Sequence, residues 1–359
     1  MLGKLSRLRA FGVTQAFDAF ITAAPIKAKR QVWSVASGRY IDRPKEETVD
    51  ASDEAPILYL NLVMPRCDGT LEDWLKLRMG SYATIPPSQE TRIGRCAVAR
   101  DLILQLLQGL RDIHQGGIAH RDLKPANILL SRREVETDVK LQQRFPLEQE
   151  PAFLLKLADF GSAKDVQDGS RCTPYVTTRW YRAPEILLGS TQYGTAVDMW
   201  AFGSIIAQLF LVSPLFCAMR SDGEQLLQHT MVLGLPSDSD LKSMQVPPGT
   251  TKSKLHLTTR VISNCIPRSN VCAVVQRARR TRQSSDALPP HDTFKLLVDG
   301  GVPPCVARLS LLCLHWDPIR RATAEYCLQE CDWLYSEEDL DEVPTPPPQE
   351  YGAPPAAMQ

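Results

Sequence analysis

The stretch HRDLKPAN at residues 120–127 combines side chains that suit the transfer of a phosphoryl group. Asp122 offers a carboxylate that can accept a hydrogen bond from a hydroxyl and take its proton. Lys124, two residues later, offers a point charge for a phosphoryl group. Asn127 and the more distant Asp159 supply oxygen ligands of the kind that Mg²⁺ prefers. We therefore expect Asp122, Asn127 and Asp159 to converge on one cleft.

Two further triplets strengthen this interpretation. DFG stands at residues 159–161 and APE at residues 183–185, in that order after the first stretch. One such triplet is a weak signal, but three motifs in this order, with compatible sequence between them, are not a chance arrangement. Together they supply the parts that phosphoryl transfer requires.

The elements that must position these residues are visible as hydrophobic patterns. Apolar residues cluster over 56–64 like a buried strand, and Pro65 to Gly69 break the pattern. A short helix is predicted at 71–75. Apolar residues recur at helical spacing over 97–114, and two glycines follow, so a helix is predicted there. The apolar segment 197–212 predicts a buried helix.

Composition limits the classes of function. Lys+Arg and Asp+Glu are equal at 41 each, so no net charge attracts nucleic acid or an anionic membrane. No apolar run is long enough to span a bilayer. The ten cysteines include no C-x-x-C pair, and we interpret them as reduced thiols in a cytoplasmic and/or nuclear protein. We expect neither a nucleic-acid partner nor a membrane, and leave the oligomeric state open.

Three segments are less informative. Residues 1–30 are basic and poor in acid, which is compatible with a transit peptide, although a surface helix is the simpler interpretation. The basic run at 277–282 is either a localisation or docking patch or a solvated face, and we favour the face. The proline-rich tail at 336–359 is expected to be disordered.

Residues 56–335 resemble the eukaryotic protein kinase family, and LKP at 123–125 is the form typical of Ser/Thr kinases. The segment TPYVTTRWYR at 173–182 resembles the activation segment of the CMGC group, in particular of mitogen-activated and cyclin-dependent-like kinases. MVLGLP at 231–236 and WDPIRR at 316–321 are similar to later parts of that group.

This resemblance implies an α+β, two-lobed kinase fold. The expected organisation is a divergent or truncated, β-rich first lobe at 1–55, a kinase domain at 56–335, and the tail at 336–359. That domain holds the hinge strand and a larger, mainly helical second lobe, and it carries insertions at 131–153 and 236–291.

The resemblance also implies roles. Asp122, Lys124 and Asn127 belong to the catalytic loop, and Thr178 bridges to Asp122 and Lys124. Asn127 and Asp159 hold Mg²⁺, and ATP supplies the phosphoryl group. Met64 is the gatekeeper, and Cys67 offers its backbone to the adenine base. The remaining lining of the ATP pocket comprises Pro65, Leu129 and Ala158.

Regulation and scaffold roles follow from the same resemblance. Arg121 receives a phosphate on Thr173, Tyr175 is a second phosphorylation site, and Arg182 lies beside a pocket that favours proline after the phosphoacceptor. The implied partners are protein substrates with Ser/Thr-Pro sites and an upstream activating kinase. The residues with structural roles are His120, Phe160, Gly161, Glu185, Asp198 and Arg321.

The first 55 residues depart from the family pattern. The glycines before Met64 are Gly3, Gly12 and Gly38, so no G-x-G-x-x-G can be drawn. Lys27 in APIK is the candidate for the ATP lysine, although Pro25 is unfavourable in a central strand. A second register, which we favour, makes 32–41 the strand before the hinge strand and leaves 1–30 for the helix.

Three interpretations remain open. The chain is an active Ser/Thr kinase with a divergent first lobe, a pseudokinase that acts as a binding scaffold, or a shortened form of an active kinase. The intact catalytic loop argues against the second. The missing glycine loop predicts that the chain as written binds ATP weakly and transfers phosphate slowly.

Overall fold

The computed structural model describes residues 18–24, 31–34, 39–42, 57–63, 66–82, 89–132, 153–166, 179–211, 213–218, 221–247 and 293–335. The chain divides into two compact units. Residues 14–66 form the smaller one, and residues 1–13 with 67–359 form the larger one.

The described residues of the smaller unit include two antiparallel strand pairs. Strand β1 (Asp18–Ala24) pairs with β4 (Ile57–Val63), from Asp18 opposite Val63 to Ala24 opposite Ile57. Strands β2 (Gln31–Ser34) and β3 (Arg39–Asp42) pair with each other. β4 confirms the strand predicted at 56–64.

Two predictions for this unit were wrong. A strand, β1, lies within residues 1–30, where we expected a helix, because the sequence DAFITAA is rich in residues that favour strands. Residues 32–41 do not form one strand beside the hinge strand. They contribute to the β2–β3 pair instead, and the partner of β4 is β1. β1 ends at Ala24, immediately before a proline, which has no N–H for a ladder.

The larger unit begins with two helices. Helix α1 (Leu71–Tyr82) extends the helix predicted at 71–75. Its start is fixed by Thr70, whose hydroxyl accepts from the Asp73 amide at 3.1 Å while the Asp73 carboxylate accepts from Thr70. Helix α2 (Gln89–Gln115) contains the helix predicted at 97–114. The side chains of the predicted stripe in α2 are all buried: Leu102, Leu106, Leu110 and Ile113.

Short strands flank the two loops that carry the candidate catalytic and metal-binding residues. Strands β5 (Gly69–Thr70), β7 (Ile128–Arg132) and β8 (Phe153–Leu157) form an antiparallel sheet in the order β5-β7-β8. Strands β6 (Ile118–Ala119) and β9 (Lys164–Asp165) form an antiparallel pair. Residues 120–127 therefore run between β6 and β7, and residues 158–163 between β8 and β9.

Helix α4 (Ala196–Gln208) is the centre of the core, because its residues from Val197 onward are buried. It ends four residues before the predicted end at 212. Gly203 permits the close approach of the helix at Pro304–Cys313, since a Cβ there would lie 2.9 Å from the Cβ of Cys313 and 3.0 Å from the carbonyl of Ser310.

Six further helices lie in the described residues of the larger unit. They are α3 (Pro184–Leu187), α5 (Asp222–Leu233), α6 (Asp238–Ser243), α7 (Thr293–Asp299), α8 (Pro304–Cys313) and α9 (Ala324–Glu330). α6 lies within the predicted insertion at 236–291. Within the described ranges, no helix has both the length and the apolar character that crossing a membrane requires.

Candidate active site

Asp122 is the centre of the loop between β6 and β7. Its Oδ2 accepts from Lys124 Nζ at 2.7 Å and from Asn127 Nδ2 at 3.0 Å. The same Asn127 nitrogen also donates to the Asp122 carbonyl at 2.8 Å. Asp122 and Asn127 are buried, and Lys124 is partly exposed. The structure therefore brings three candidate catalytic residues into direct contact.

Asp198, at the start of α4, holds the backbone of this loop. Its Oδ2 accepts from the His120 amide and its Oδ1 from the Arg121 amide, both at 2.8 Å. His114 Nε2 lies 3.0 Å from Oδ2. Burial alone would raise the pKa of Asp198, but the contacts with His114, His120 and the Arg121 amide together lower it. Asp198 is therefore an ionised anchor for the loop.

The same loop carries backbone strain. Arg121 has φ +72°, in the left-handed region that non-glycine residues rarely adopt. This conformation turns the Arg121 amide towards the carboxylate of Asp198, and the charge-assisted hydrogen bonds offset the cost.

Asp159 lies beside this loop because β7 and β8 are paired. The Ala158 amide donates to the Asn127 carbonyl at 3.0 Å, directly after the Ile128–Leu157 pair. His120 Nε2 lies 2.9 Å from the Ala158 carbonyl, and the His120 and Phe160 rings are 4.7 Å apart. The residues on either side of Asp159 are thus tied to the loop that contains Asp122 and Asn127.

The Asp159 side chain itself is exposed. Its backbone has φ +60°, and its Oδ1 accepts from the Gly161 amide at 3.4 Å, which is a long hydrogen bond. A side chain on Gly161 would crowd that oxygen, since a Cβ would lie 3.2 Å from it. The carboxylate is therefore available to a ligand.

The donor set near Asn127 and Asp159 fits Mg²⁺. Both hydrogens of Asn127 Nδ2 are used by Asp122, so the amide oxygen is the atom turned to other partners. Across the described part of the chain, no three His, Cys, Asp or Glu side chains are close enough to hold a metal ion. Mg²⁺ typically takes one or two protein ligands plus phosphate oxygens and water.

Arg121 and Arg182 line a small pocket with Asp122, Leu123 and Tyr181. The Arg121 guanidinium donates to the Tyr193 hydroxyl at 2.9 Å and lies over its ring. Arg121 Nε is buried with no hydrogen-bond partner among the described residues. Burial lowers the pKa of Arg182, with the nearby Arg179 acting in the same direction and Asp222 and Asp122 opposing it.

Glu185 and Arg321 form a fully buried ion pair. The guanidinium donates to both carboxylate oxygens at 2.7 Å. Arg321 also donates to the carbonyls of His315, Ala196 and Trp316. The pair joins α3 to the segment after α8.

The candidate lining of the ATP pocket is only partly described. Leu129 pairs with Thr70 and Lys156 in the β5-β7-β8 sheet. Ala158 is half-buried, and Cys67 is a half-buried free thiol. The other described cysteines are also free thiols. The predicted residues that lie outside the described ranges are Lys27, Met64, Pro65, Thr173, Tyr175 and Thr178.

Sequence reasoning missed two residues of this site. His114 contacts the Asp198 carboxylate, and its position at the end of the α2 pattern, just before the loop, was a usable signal. Tyr193 accepts from Arg121, and nothing in its local sequence indicated that contact.

Comparison with known proteins gives a consistent result. A family model described as "Protein kinase domain" matches residues 58–334. The chain is 35% identical over 230 residues to Cyclin-dependent kinase F-3 of Oryza sativa subsp. japonica, covering 64% of this chain and 41% of that protein. It is 32% identical over 270 residues to Serine/threonine-protein kinase ICK of Rattus norvegicus, covering 72% and 35%.

A further relative matches a shorter part. The chain is 40% identical over 144 residues to Serine/threonine-protein kinase MAK of Homo sapiens, covering 40% of this chain and 20% of that protein. The matched part of the chain thus spans between about a fifth and two fifths of the length of these relatives.

Proposed function

The chain belongs to the protein kinase family and resembles its CMGC group, and from this premise we propose that it transfers the γ-phosphoryl group of ATP to serine or threonine hydroxyls of proteins. The observation that carries the proposal is the contact set around Asp122. One carboxylate oxygen is held by Lys124 at 2.7 Å and by Asn127 at 3.0 Å.

Asp122 is suited to act on the substrate hydroxyl. Two donors fix its carboxylate, while Asp198 fixes the backbone before it, so the group does not have to reorganise when a substrate binds. A positioned carboxylate can orient the hydroxyl and accept its proton. Lys124 is in place to stabilise negative charge on a phosphoryl group.

Asn127 and Asp159 are the residues that we propose hold Mg²⁺. Their oxygens match the preference of a hard cation, and the bond from the Ala158 amide to the Asn127 carbonyl keeps the two segments together. When bound, the ion supplies positive charge to the phosphates of ATP.

We propose further that the substrates contain Ser/Thr-Pro sites and that phosphorylation of Thr173 and Tyr175 by an upstream kinase raises activity. Arg182 supports the first part, because it lines the pocket beside Asp122. Arg121 supports the second, because its buried Nε has no hydrogen-bond partner in the described ranges. A phosphate is an acceptor that such an arginine binds well.

The test is phosphate transfer from MgATP to a Ser-Pro peptide, compared with the matching Ser-Ala peptide. Asp159→Asn removes a metal-ligand charge and should abolish Mg²⁺-dependent ATP binding. Asp332→Asn, an exposed aspartate outside the site, is the matched control and should bind MgATP as the unaltered chain does. Equal binding by both variants would contradict the metal assignment.

A binding scaffold without turnover is the second candidate. The observation that favours it is the absence of a G-x-G-x-x-G before Met64, since that loop supplies backbone donors to the phosphates. MgATP binding without transfer, in protein phosphorylated at Thr173 and Tyr175, would favour the scaffold. Turnover of ~1–100 per second would favour the enzyme.

A further inference from the structure

Residues 181–183 belong to the lining of a small pocket that also contains Asp122. Tyr181, Arg182 and Ala183 line it together with Arg121 and Asp122. The position of the segment 179–183 therefore affects the surroundings of Asp122, the residue that we propose acts on the substrate hydroxyl.

Among the side-chain contacts with described residues, four hold three successive residues of this segment. Arg179 Nε lies 2.7 Å from an Asp222 carboxylate oxygen at the start of α5. Trp180 is bonded through both its indole and its carbonyl. The Tyr181 hydroxyl donates to Gln208 of α4 at 2.8 Å. Two of the four contacts, those of Asp222 and Gln225, come from α5.

The contacts of Trp180 close into a ring of three residues. Gln225 Nε2 donates to the Trp180 carbonyl at 3.1 Å. Trp180 Nε1 donates to the Ala218 carbonyl at 3.0 Å. The Ala218 amide donates back to Gln225 Oε1 at 3.2 Å. Each of the three residues is hydrogen-bonded to the other two. Displacing any one of them therefore breaks at least one of these hydrogen bonds.

The Trp180 carbonyl and the Ala218 amide set the orientation of the Gln225 amide, and His229 is compatible with it. His229 Nε2 lies 3.2 Å from Gln225 Nε2, one helical turn along α5. Burial, with the charge of Arg321, lowers the pKa of His229 well below its usual range, so the ring is neutral and its Nε2 can accept. The Gln225 nitrogen then faces His229 and Trp180, and its oxygen faces Ala218.

We infer that Gln225 is a positioning residue for the peptide side of the cleft, acting through Trp180 on the wall that carries Arg182. The inference rests on the proposed kinase function. Gln225 does not contact Asp122, and its side chain is fully buried. Its effect should therefore fall on the affinity for the peptide, while the affinity for MgATP is unchanged.

Gln228 provides a matched control on the same helix. It is also a buried glutamine, and its Oε1 accepts from the amide of Cys217, the residue before Ala218. Gln225→Met and Gln228→Met each remove one buried amide of the same size. Both variants should lower the melting temperature, because each leaves buried backbone without its partner.

The two variants should differ in function. Loss of the ring should raise the KM for a Ser-Pro peptide about tenfold in Gln225→Met, as expected for about one hydrogen bond. Gln228→Met should leave that KM unchanged. Hydrogen exchange of residues 179–183 should accelerate by a similar factor in Gln225→Met alone. The dissociation constant of MgATP should be the same in both variants.

Trp180→Phe is a second route to the same result, because it removes the indole N–H that donates to Ala218, together with part of the ring volume. It keeps the inference testable if Gln225→Met does not fold. Equal changes in KM and exchange for Gln225→Met and Gln228→Met would overturn the inference. If the unaltered chain has no turnover, the proposed function fails, and hydrogen exchange still decides the role of Gln225.

Discussion

Two ion pairs of the larger unit have the same length and different surroundings. Lys124 and Asp122 are 2.7 Å apart, with side-chain exposures of 18% and 7%. Arg321 and Glu185 are also 2.7 Å apart, with no exposure of either side chain. The distance between charges therefore does not distinguish the candidate catalytic pair from the fully buried pair.

The partners around each pair make the difference. Arg321 and Glu185 are joined by two parallel hydrogen bonds, and the other described donations of the guanidinium go to backbone carbonyls. The described hydrogen bonds of this ion pair are thus all made to protein atoms. Lys124 is a point charge that lies 2.7 Å from one oxygen of Asp122, and its side chain is partly exposed. The Lys124–Asp122 pair is thus open to solvent on the lysine side, whereas the Arg321–Glu185 pair is fully enclosed.

The largest effect on stability is expected for Arg321→Met. The substitution leaves the Glu185 carboxylate buried without its partner, which typically costs ~3–5 kcal/mol in the free energy of unfolding. Urea unfolding followed by circular dichroism measures it. The double variant Glu185→Met/Arg321→Met is the control, and it should recover much of the loss because no unpaired charge remains. A double variant as unstable as the single one would show that lost packing, not the buried charge, explains the effect.

Asp122→Asn should lower turnover and leave stability nearly unchanged, in contrast to Arg321→Met. The amide preserves the shape of the side chain but cannot take a proton, so turnover should fall about 10²–10⁴-fold. The melting temperature and the MgATP affinity should change little, because the role of Asp122 is realised near the transition state. Steady-state kinetics and calorimetric binding separate the two quantities. Weaker MgATP binding of the same magnitude would place Asp122 among the binding residues.

Asp198 differs from Glu185 because its buried carboxylate is held by backbone amides and not by a guanidinium. Its lowered pKa means that it stabilises the folded state fully above the unfolded value of about 3.9. That contribution is lost as pH falls through the lower, folded pKa. Asp198→Asn should cost about 1–3 kcal/mol at pH 7 and should flatten the fall in stability below about pH 4. Urea unfolding from pH 3 to pH 7 tests it, and identical slopes would refute it.

The smallest effect is expected for an exposed pair on α1. Lys76 and Glu72 are 3.4 Å apart, with exposures of 65% and 46%. Lys76→Gln should change the free energy of unfolding by less than ~0.5 kcal/mol, and less still at high salt. A loss of stability close to that of Arg321→Met would mean that the contribution of these ion pairs to the free energy of unfolding does not increase with burial.

Much of the larger unit could be predicted from its sequence because its signals are local. The stripe from Leu102 to Ile113 predicted the buried face of α2, and the spacing within 120–127 placed Asp122, Lys124 and Asn127 on one short loop. The start of α2 could not be predicted, since residues 89–96 carry no apolar repeat.

What the sequence did not reveal is pairing between distant segments. The partner of β4 depends on tertiary contacts, and strand propensity alone did not distinguish β1 from residues 32–41. The contacts of Gln225 with Trp180 and of His114 with Asp198 join residues far apart in the chain. A glutamine in an amphipathic helix carries no sign of such a role.

The β7–β8 ladder has an evolutionary consequence. Its last pair joins Arg132 directly to Phe153, and its first pair joins Ile128 to Leu157, next to Asn127 and Ala158. Whatever chain length lies between Arg132 and Phe153, the near end of the ladder sets the spacing of the two metal-ligand candidates. Since the entropic cost of closing a loop rises only with the logarithm of its length, insertions at the far end reduce the stability of the fold only slightly. This hairpin can thus accumulate new sequence between Arg132 and Phe153 while selection preserves the chemistry at its base.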